Sequence, residues 1–322
     1  LPIEDVVRES YLLEKNSEFV QDDAIKSYYI NFQKNIMKLS KDYQRKLNDG
    51  MRVAFSGVKG AFAELAVKRI FPDAVAVPYA DFKAAYKSVE KGECEVAVLP
   101  IENSYEGDVA RVMDLTYFGS LYINGVYDMT IEQYLFSTND ADEKSITKVI
   151  SHPQALGQCA EFIEEKGYEI EEAVNTAVAA QFVANQKDKS LGVICSLESG
   201  QEYGLKLIHR KINKNNQNTT RFAVYSRVPK DYSSENENFI VLFTVRDEAG
   251  SLGKAISVFG ESGCNLKALK SRPSKDVIWN YYFFLEGEGA LTHEKETEMI
   301  KKLSEVCTNV RLVGRYSKES HI

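Results

Sequence analysis

No run of about 18 apolar residues occurs anywhere in the 322-residue chain, so no part of it reads as a membrane-spanning helix. Residues 1 to 30 are charged throughout, which is not the pattern of a secretory leader. Cysteine is scarce and scattered: Cys94, Cys159, Cys195, Cys264 and Cys307, with no CxxC among them. Such a set indicates neither a disulfide framework nor a zinc site; it reads as small core residues of a reduced, cytoplasmic protein. No basic stripe appears and the net charge is −7, which argues against a nucleic-acid partner. No GxGxxG, metal-ligand cluster or Ser/His/Asp arrangement is read in the sequence. An initial methionine is also missing. The chain starts at Leu1-Pro2, and the expectation is a fragment or a trimmed chain.

The first 49 residues contain no glycine and read as helix. Ile25, Tyr29, Phe32, Ile36, Leu39 and Tyr43 step by four and three, a heptad-like seam that two helices cannot bury alone. The segment is therefore expected to pack on another chain. Ser40 and Gln44 share a helix face beside that seam. Asp5, Arg8 and Glu9 lie together on the preceding helix, and by spacing alone they are solvated bundle charges.

From Met51 the pattern alternates strand and helix, which implies a mainly parallel sheet with its polar corners along one edge. At Gly57, Glu102, Ser151 and Asn175 a strand runs through polar residues into a helix start. Backbone N–H groups at such starts attract anions. Gly60 and Ala61 lie in the first corner, Asn103 in the second, and Asn175-Thr176 cap the helix of the fourth. His152 reads either as a general acid or as a structural hydrogen-bonding residue ahead of Pro153. A fifth corner is Asn218-Thr219-Thr220-Arg221-Phe222, where a polar run, Lys211 to Gln217, enters a strand. Its plain reading is a turn with a salt-bridged arginine. Five corners together suit a small dianion. After a linker-like stretch, 227–237, the order becomes βαββαβ over about 80 residues, a ferredoxin-like unit.

Three of these stretches resemble the signatures of prephenate dehydratases: PIENS at 100–104, SHPQ at 151–154 with Gln158, and NTTRF at 218–222. The terminal unit resembles an ACT regulatory domain. Its Gly250-Ser251-Leu252 is similar to the GALV stretch of those domains, and Lys270-Ser271-Arg272-Pro273 to their ESRP stretch. Residues 1–50 resemble the last two helices of an all-helical chorismate mutase, with Asp5, Arg8, Glu9, Ser40 and Gln44 on that family's site positions. The whole is similar to the bifunctional chorismate mutase/prephenate dehydratases. There are departures. Ala61 and Ala63 stand where hydroxyl residues are usual, Lys270 replaces a glutamate, Ser251 replaces an alanine, and the first mutase helix is absent.

The resemblance implies an α/β fold in three parts. Residues 51–228 would form a two-lobed, periplasmic-binding-protein-like dehydratase domain, 236–318 an ACT domain, and 1–50 an all-α fragment. It implies loss of carbon dioxide and water from prephenate to give phenylpyruvate, with no cofactor and with phenylalanine as allosteric effector. Thr220, Asn103, Gln158, Ser151 and Glu102 would form the catalytic set. Thr176, Asn175, Gly60, Ala61 and Arg221 would bind substrate, although for Arg221 a structural role is favoured over pairing with a substrate carboxylate. Gly250, Ser251, Leu252, Ser271, Arg272 and Pro273 would bind the effector, and Lys270 would weaken that binding. With Arg8 as the one cation among its matches, the mutase fragment is expected to be inactive. A homodimer or homotetramer is expected. Arogenate as substrate and a non-catalytic ligand sensor are the other readings left open.

Overall fold

The structure, a computed structural model, describes residues 6–213, 218–229, 237–274, 281–289, 291–317 and 320–322. It begins with a helical hairpin, α1 (Val6–Ser17) and α2 (Asp23–Asp49). Asp22 caps α2 by accepting the Ala24 N–H at 2.9 Å. Ile25, Phe32, Ile36, Leu39 and Tyr43 are all exposed in the single chain, so the seam has no cover within it.

The next elements form a first lobe: β1 (Arg52–Ser56), α3 (Phe62–Ile70), β2 (Val75–Tyr79), α4 (Phe82–Lys91), β3 (Val96–Asn103), the short β4 (Gly107–Asp108), α5 (Ala110–Phe118) and β5 (Tyr122–Thr130). A second lobe follows: β6 (Tyr134–Ser137), β7 (Lys148–Ser151), α6 (Pro153–Gln158), α7 (Ala160–Lys166), β8 (Glu169–Glu172), α8 (Thr176–Gln186), β9 (Leu191–Cys195), α9 (Leu197–Glu202) and β10 (Lys206–His209). The chain then returns to the first lobe as β11 (Thr219–Ser226), which lies antiparallel between β5 and β3.

Strand–helix alternation predicts one mainly parallel sheet, and the structure corrects this. Among the described residues there are two sheets. One carries β5-β11-β3-β1-β2 and the other β10-β6-β9-β7-β8, and both mix parallel with antiparallel pairs. The reason is the double crossing: β11 arrives from the second lobe rather than over a crossover helix, so it is free to pair antiparallel. The two crossings are themselves paired. The Ile131 N–H donates to the Asn218 carbonyl at 2.7 Å, and the Ile212 N–H to the Gln133 carbonyl at 2.9 Å. All five cysteines are buried free thiols, and burial pushes Cys159 and Cys195 up to about 12.

The last unit is β12 (Glu237–Val245), α10 (Ser251–Glu261), β13 (Asn265–Pro273), β14 (Tyr281–Glu288), α11 (His293–Val306) and β15 (Cys307–Ser317), in βαββαβ order. A final pair of residues, β16 (Ser320–His321), returns to β5. The expected strand start at Trp279 lies outside the described residues. The sheet order here is β13-β14-β12-β15, and β15 meets β5 at a single register pair, Gly314 with Ile123. A Cβ on Gly314 would lie 2.7 Å from the Ile123 carbonyl oxygen, so only glycine lets the two sheets join there.

Candidate active site

Between the two lobes lies a cavity of about 370 Å³. It opens into a wider groove of about 840 Å³, with which it shares Glu106, His152, Gln154 and Gln158. Among the described residues, neither Lys nor Arg lines the inner cavity. Phe62, Phe82, Pro100 and Phe222 supply apolar walls.

On the first-lobe side, Asn103 ends β3 and Thr220 opens β11, and the two are register partners. Asn103 is buried. Its Oδ1 accepts the N–H groups of Tyr105 (3.0 Å) and Glu106 (3.2 Å), an Asx turn that decides which end of the amide is which. Its Nδ2 must therefore face the other way, donating to Thr220 Oγ1 at 2.9 Å and Asn218 Oδ1 at 3.0 Å. With its oxygen already accepting, the Thr220 hydroxyl has its proton free to donate into the cavity.

Uncapped helix starts supply the remaining first-lobe donors. Ala61 is the N-cap of α3 with no side-chain bond, and Ala61, Phe62 and Ala63 line the cavity. Val109 caps α5 in the same way and also lines it. On the second-lobe side, Thr176 stands in the first turn of α8, while Asn175 caps it by accepting the Val178 N–H at 2.7 Å. Gln158 ends α6 and accepts from Gln133 Nε2 at 3.2 Å. His152 Nδ1 accepts the Gln154 N–H at 3.2 Å, which leaves the proton of the neutral ring on Nε2. Thr220, Asn103, Gln158, Thr176, Asn175 and Ala61 are thus brought together. Ser56 and Gln133 also line the cavity and are missing from the sequence-derived set. Gln133 carries a signal in hindsight: with Glu132 it is one of two polar residues in the otherwise apolar stretch from Ile131 to Phe136.

Four expected site residues lie elsewhere. Ser151 is 0% exposed, and its hydroxyl donates to the Ile194 carbonyl at 2.5 Å inside the second sheet. Gly60 donates its N–H to Glu64 at 2.5 Å, and a Cβ there would meet Ser199 Oγ at 3.0 Å. It is a lobe-to-lobe contact. Glu102 and Arg221 are register partners one residue along from Asn103 and Thr220, so strand alternation turns them to the opposite face. There Arg221 grips Glu286 of β14 with two bonds (2.7 and 2.9 Å) and meets Glu102 at 3.2 Å. Lys270 of β13 joins at 3.0 Å from Glu102. Burial by itself would raise the Glu286 carboxyl, but the bonds and charge of Arg221, with the Tyr316 hydroxyl, hold it below its usual range.

The expected effector residues divide by face. Gly250 (φ +84°), Leu252 and Ser271 line a pocket of about 450 Å³ with Arg246, Asp247, Glu248, Tyr281 and Phe283. Ser251 is buried beside it, its N–H on the Glu248 carbonyl. Arg272 points away to Asp114 of α5 (2.9 Å), which also accepts from Tyr282 (2.9 Å), and Pro273 does not line the pocket. Lys270 shares the Arg272 face, so its charge is spent on Glu102 and Asp108 rather than on the pocket. In the hairpin, Gln44 donates to Ser40 at 3.1 Å and Glu9 pairs with Lys41 at 2.9 Å, while Arg8 is exposed. Asp5 lies outside the described residues.

Two α/β lobes closing on amides, hydroxyls and free helix starts define a protein that binds a small polar ligand between them. The prephenate dehydratase family model matches residues 53–230, and the chain belongs to that family. It is 34% identical over 270 residues to a prephenate dehydratase of Methanocaldococcus jannaschii (82% of this chain, 97% of that one). It is 32% identical over 287 residues to arogenate dehydratase 2 of Petunia hybrida (84% and 73%). To a bifunctional chorismate mutase/prephenate dehydratase of Escherichia coli it is 29% identical over 335 residues (99% and 87%). Among solved structures, the prephenate dehydratase of Arthrobacter aurescens in complex with L-Phe shares the fold at 24% identity (TM-score 0.77; 83% of this chain, 90% of that one). So does GqqA, described as a novel type of quorum quenching acylase, at 26% identity (TM-score 0.76; 83% and 97%).

Proposed function

We propose that the cleft converts prephenate to phenylpyruvate, carbon dioxide and water. The observation that carries this reading is the Asn103–Thr220 bond, which orients a hydroxyl proton into the cavity. The electrons of the breaking ring–carboxylate bond move into the ring, the C–O bond to the ring hydroxyl breaks, and that hydroxyl leaves as water. Aromatisation drives the step, so no electron sink is called for. Thr220 donates a hydrogen bond to the departing oxygen, and the proton that completes water comes through it from solvent or a neighbouring group. Free N–H groups at the uncapped starts of α3 and α5, with the Thr176 hydroxyl, hold the carboxylates. A lining without Lys or Arg suits this chemistry, because a strong cation would stabilise the carboxylate that must be lost.

The Petunia relative supports a second reading, arogenate as substrate. The βαββαβ unit is read as an ACT domain with phenylalanine as effector. The pocket at the start of α10 combines a cation, two carboxylates, backbone N–H groups and the apolar Leu252 and Phe283, which suits an amino acid with an aromatic side chain. The helical hairpin is read as a chorismate mutase remnant. At the positions that match the mutase family the hairpin offers one guanidinium, Arg8, and the nearby Lys41 is held by Glu9; that does not balance a buried dianion, so the hairpin is read as inactive. The protein is read as a cytoplasmic homodimer or homotetramer in phenylalanine biosynthesis.

One assay tests the main reading. Phenylpyruvate, seen by its absorbance in base, should accumulate from prephenate and not from chorismate. No product from prephenate, and no phenylalanine from arogenate, would return the protein to the class of non-catalytic sensors. Product from chorismate would show that the hairpin retains a complete mutase site.

A further inference from the structure

Gln133 sits on the crossing between β5 and β6, where one lobe becomes the other. It lines the cavity although it is only 2% exposed. Its backbone cannot turn. The N–H donates to Asn213 Oδ1 at 2.9 Å, and the carbonyl accepts from Ile212 at 2.9 Å. Asn213 Nδ2 braces the neighbouring Ile131 carbonyl at 3.1 Å. The side chain spends its Nε2 on Gln158 Oε1, while its own Oε1 is buried with no partner among the described residues. An unsatisfied buried carbonyl costs roughly 1–3 kcal/mol. Folding tolerates that most readily where a ligand or water completes the bond.

The two amides therefore act as a pair. Gln158 keeps its NH2 group to donate, and Gln133 keeps an oxygen that is buried with almost no accessible surface and no partner among the described residues. A joint flip of both amides exchanges these roles without breaking their mutual bond. The pair belongs to the second-lobe side of the cavity, and Thr220 to the first. A ring acid whose hydroxyl meets Thr220 puts its opposite pole, the three-carbon side chain, toward the pair. At that pole the two candidate substrates differ. A 2-oxo acid offers only acceptors, and a 2-amino acid offers an ammonium donor.

We propose that Gln133 is a specificity-determining residue, which sets the choice between an oxo and an amino group on the substrate side chain. The proposal rests on the dehydratase reading and deepens it. With an amide at 133 the pair offers both a donor and an acceptor, so neither substrate is rejected outright. Gln133→Glu fixes the balance. The introduced carboxylate cannot donate, so Gln158 turns its NH2 onto it, and the cavity gains an anion beside that of Glu106, with no lysine or arginine lining it among the described residues.

The test is the ratio of kcat/KM for prephenate to that for arogenate, measured on the full chain and on Gln133→Glu, Gln133→Met and Gln158→Met. Gln133→Glu should move the ratio toward arogenate by about tenfold or more. Gln133→Met and Gln158→Met should each lower both values, with smaller change in the ratio. A residue that only holds the fold would shift both substrates equally. A ratio within twofold of the wild type in folded Gln133→Glu overturns the proposal. If that variant does not fold, Gln158→Glu places the charge on the partner amide, and an unchanged ratio there overturns it equally. A wild-type chain that turns over neither substrate removes the dehydratase reading itself, whereas an active wild type with an unmoved ratio removes only the role of Gln133.

Discussion

The proposed role of Thr220 as a donor rests on its neighbours rather than on its own acidity. The Asx turn at Asn103 consumes the amide oxygen, the amide nitrogen then occupies the threonine oxygen, and the hydroxyl proton is left for the ligand. Thr220→Ala should lower kcat by roughly 10²-fold or more with little change in KM, since the lost bond strengthens only as the hydroxyl departs. Steady-state formation of phenylpyruvate measures both constants. Turnover near the wild-type rate in the folded variant would remove Thr220 from the mechanism.

At the scale of elements, β3 and β11 are two-faced. Their cavity face carries Asn103 and Thr220, and their other face carries Glu102 and Arg221, tied to Lys270 and Glu286 of the terminal unit. The charges nearest the active strand thus serve the joint between units. Glu286 is almost fully buried, and its carboxyl is held below its ordinary 4.5 in the folded state. A depressed carboxyl adds stability above its unfolded value, and that contribution is lost as pH falls through the folded value. Glu286→Gln should therefore cost on the order of 3 kcal/mol at pH 7, where it removes the two-bond partner of Arg221 and leaves that buried guanidinium the weaker contacts to Glu102 and Asp128. The gap between variant and wild type should narrow below pH 4.5. Denaturant titrations across that range measure it, and a gap that stays constant into acid would show that Glu286 is not the titrating group.

In the whole molecule, the terminal unit continues the first lobe's sheet through one glycine. At Gly314 a side chain would strike the Ile123 backbone, which cannot step aside. Gly314→Val should destabilise the protein by about 1–3 kcal/mol. It should also weaken or abolish inhibition by phenylalanine while leaving phenylpyruvate formation in place, because the catalytic residues are on other strands. Thermal unfolding and inhibition curves check this together. Unaltered inhibition would mean that the effector signal does not cross this joint. The exposed seam of α2 is the other feature at this scale, an apolar stripe that only a further helix or a second copy can cover.

Much of this protein is legible in its chain. The strand–helix rhythm, the βαββαβ order, the amphipathic hairpin and the polar corners follow from local periodicity and turn chemistry, which are properties of neighbouring residues. Thr220, Asn103 and Thr176 stand out as polar residues at strand ends and a helix start, whereas Gln158 and Ala61 are named only through the family resemblance. What the chain order hides is which corners face each other and which side of a strand meets the ligand. Ser151 and Gly60 stand in the right corners but are turned into a sheet and against α9. Glu102 and Arg221 are one residue from the cavity and face away from it. Gln133 looks like an ordinary strand residue until a double crossing places it on the hinge beside Gln158. Those outcomes depend on pairing across more than 100 residues of chain, as between Asn103 and Thr220, and only packing of the two lobes decides them.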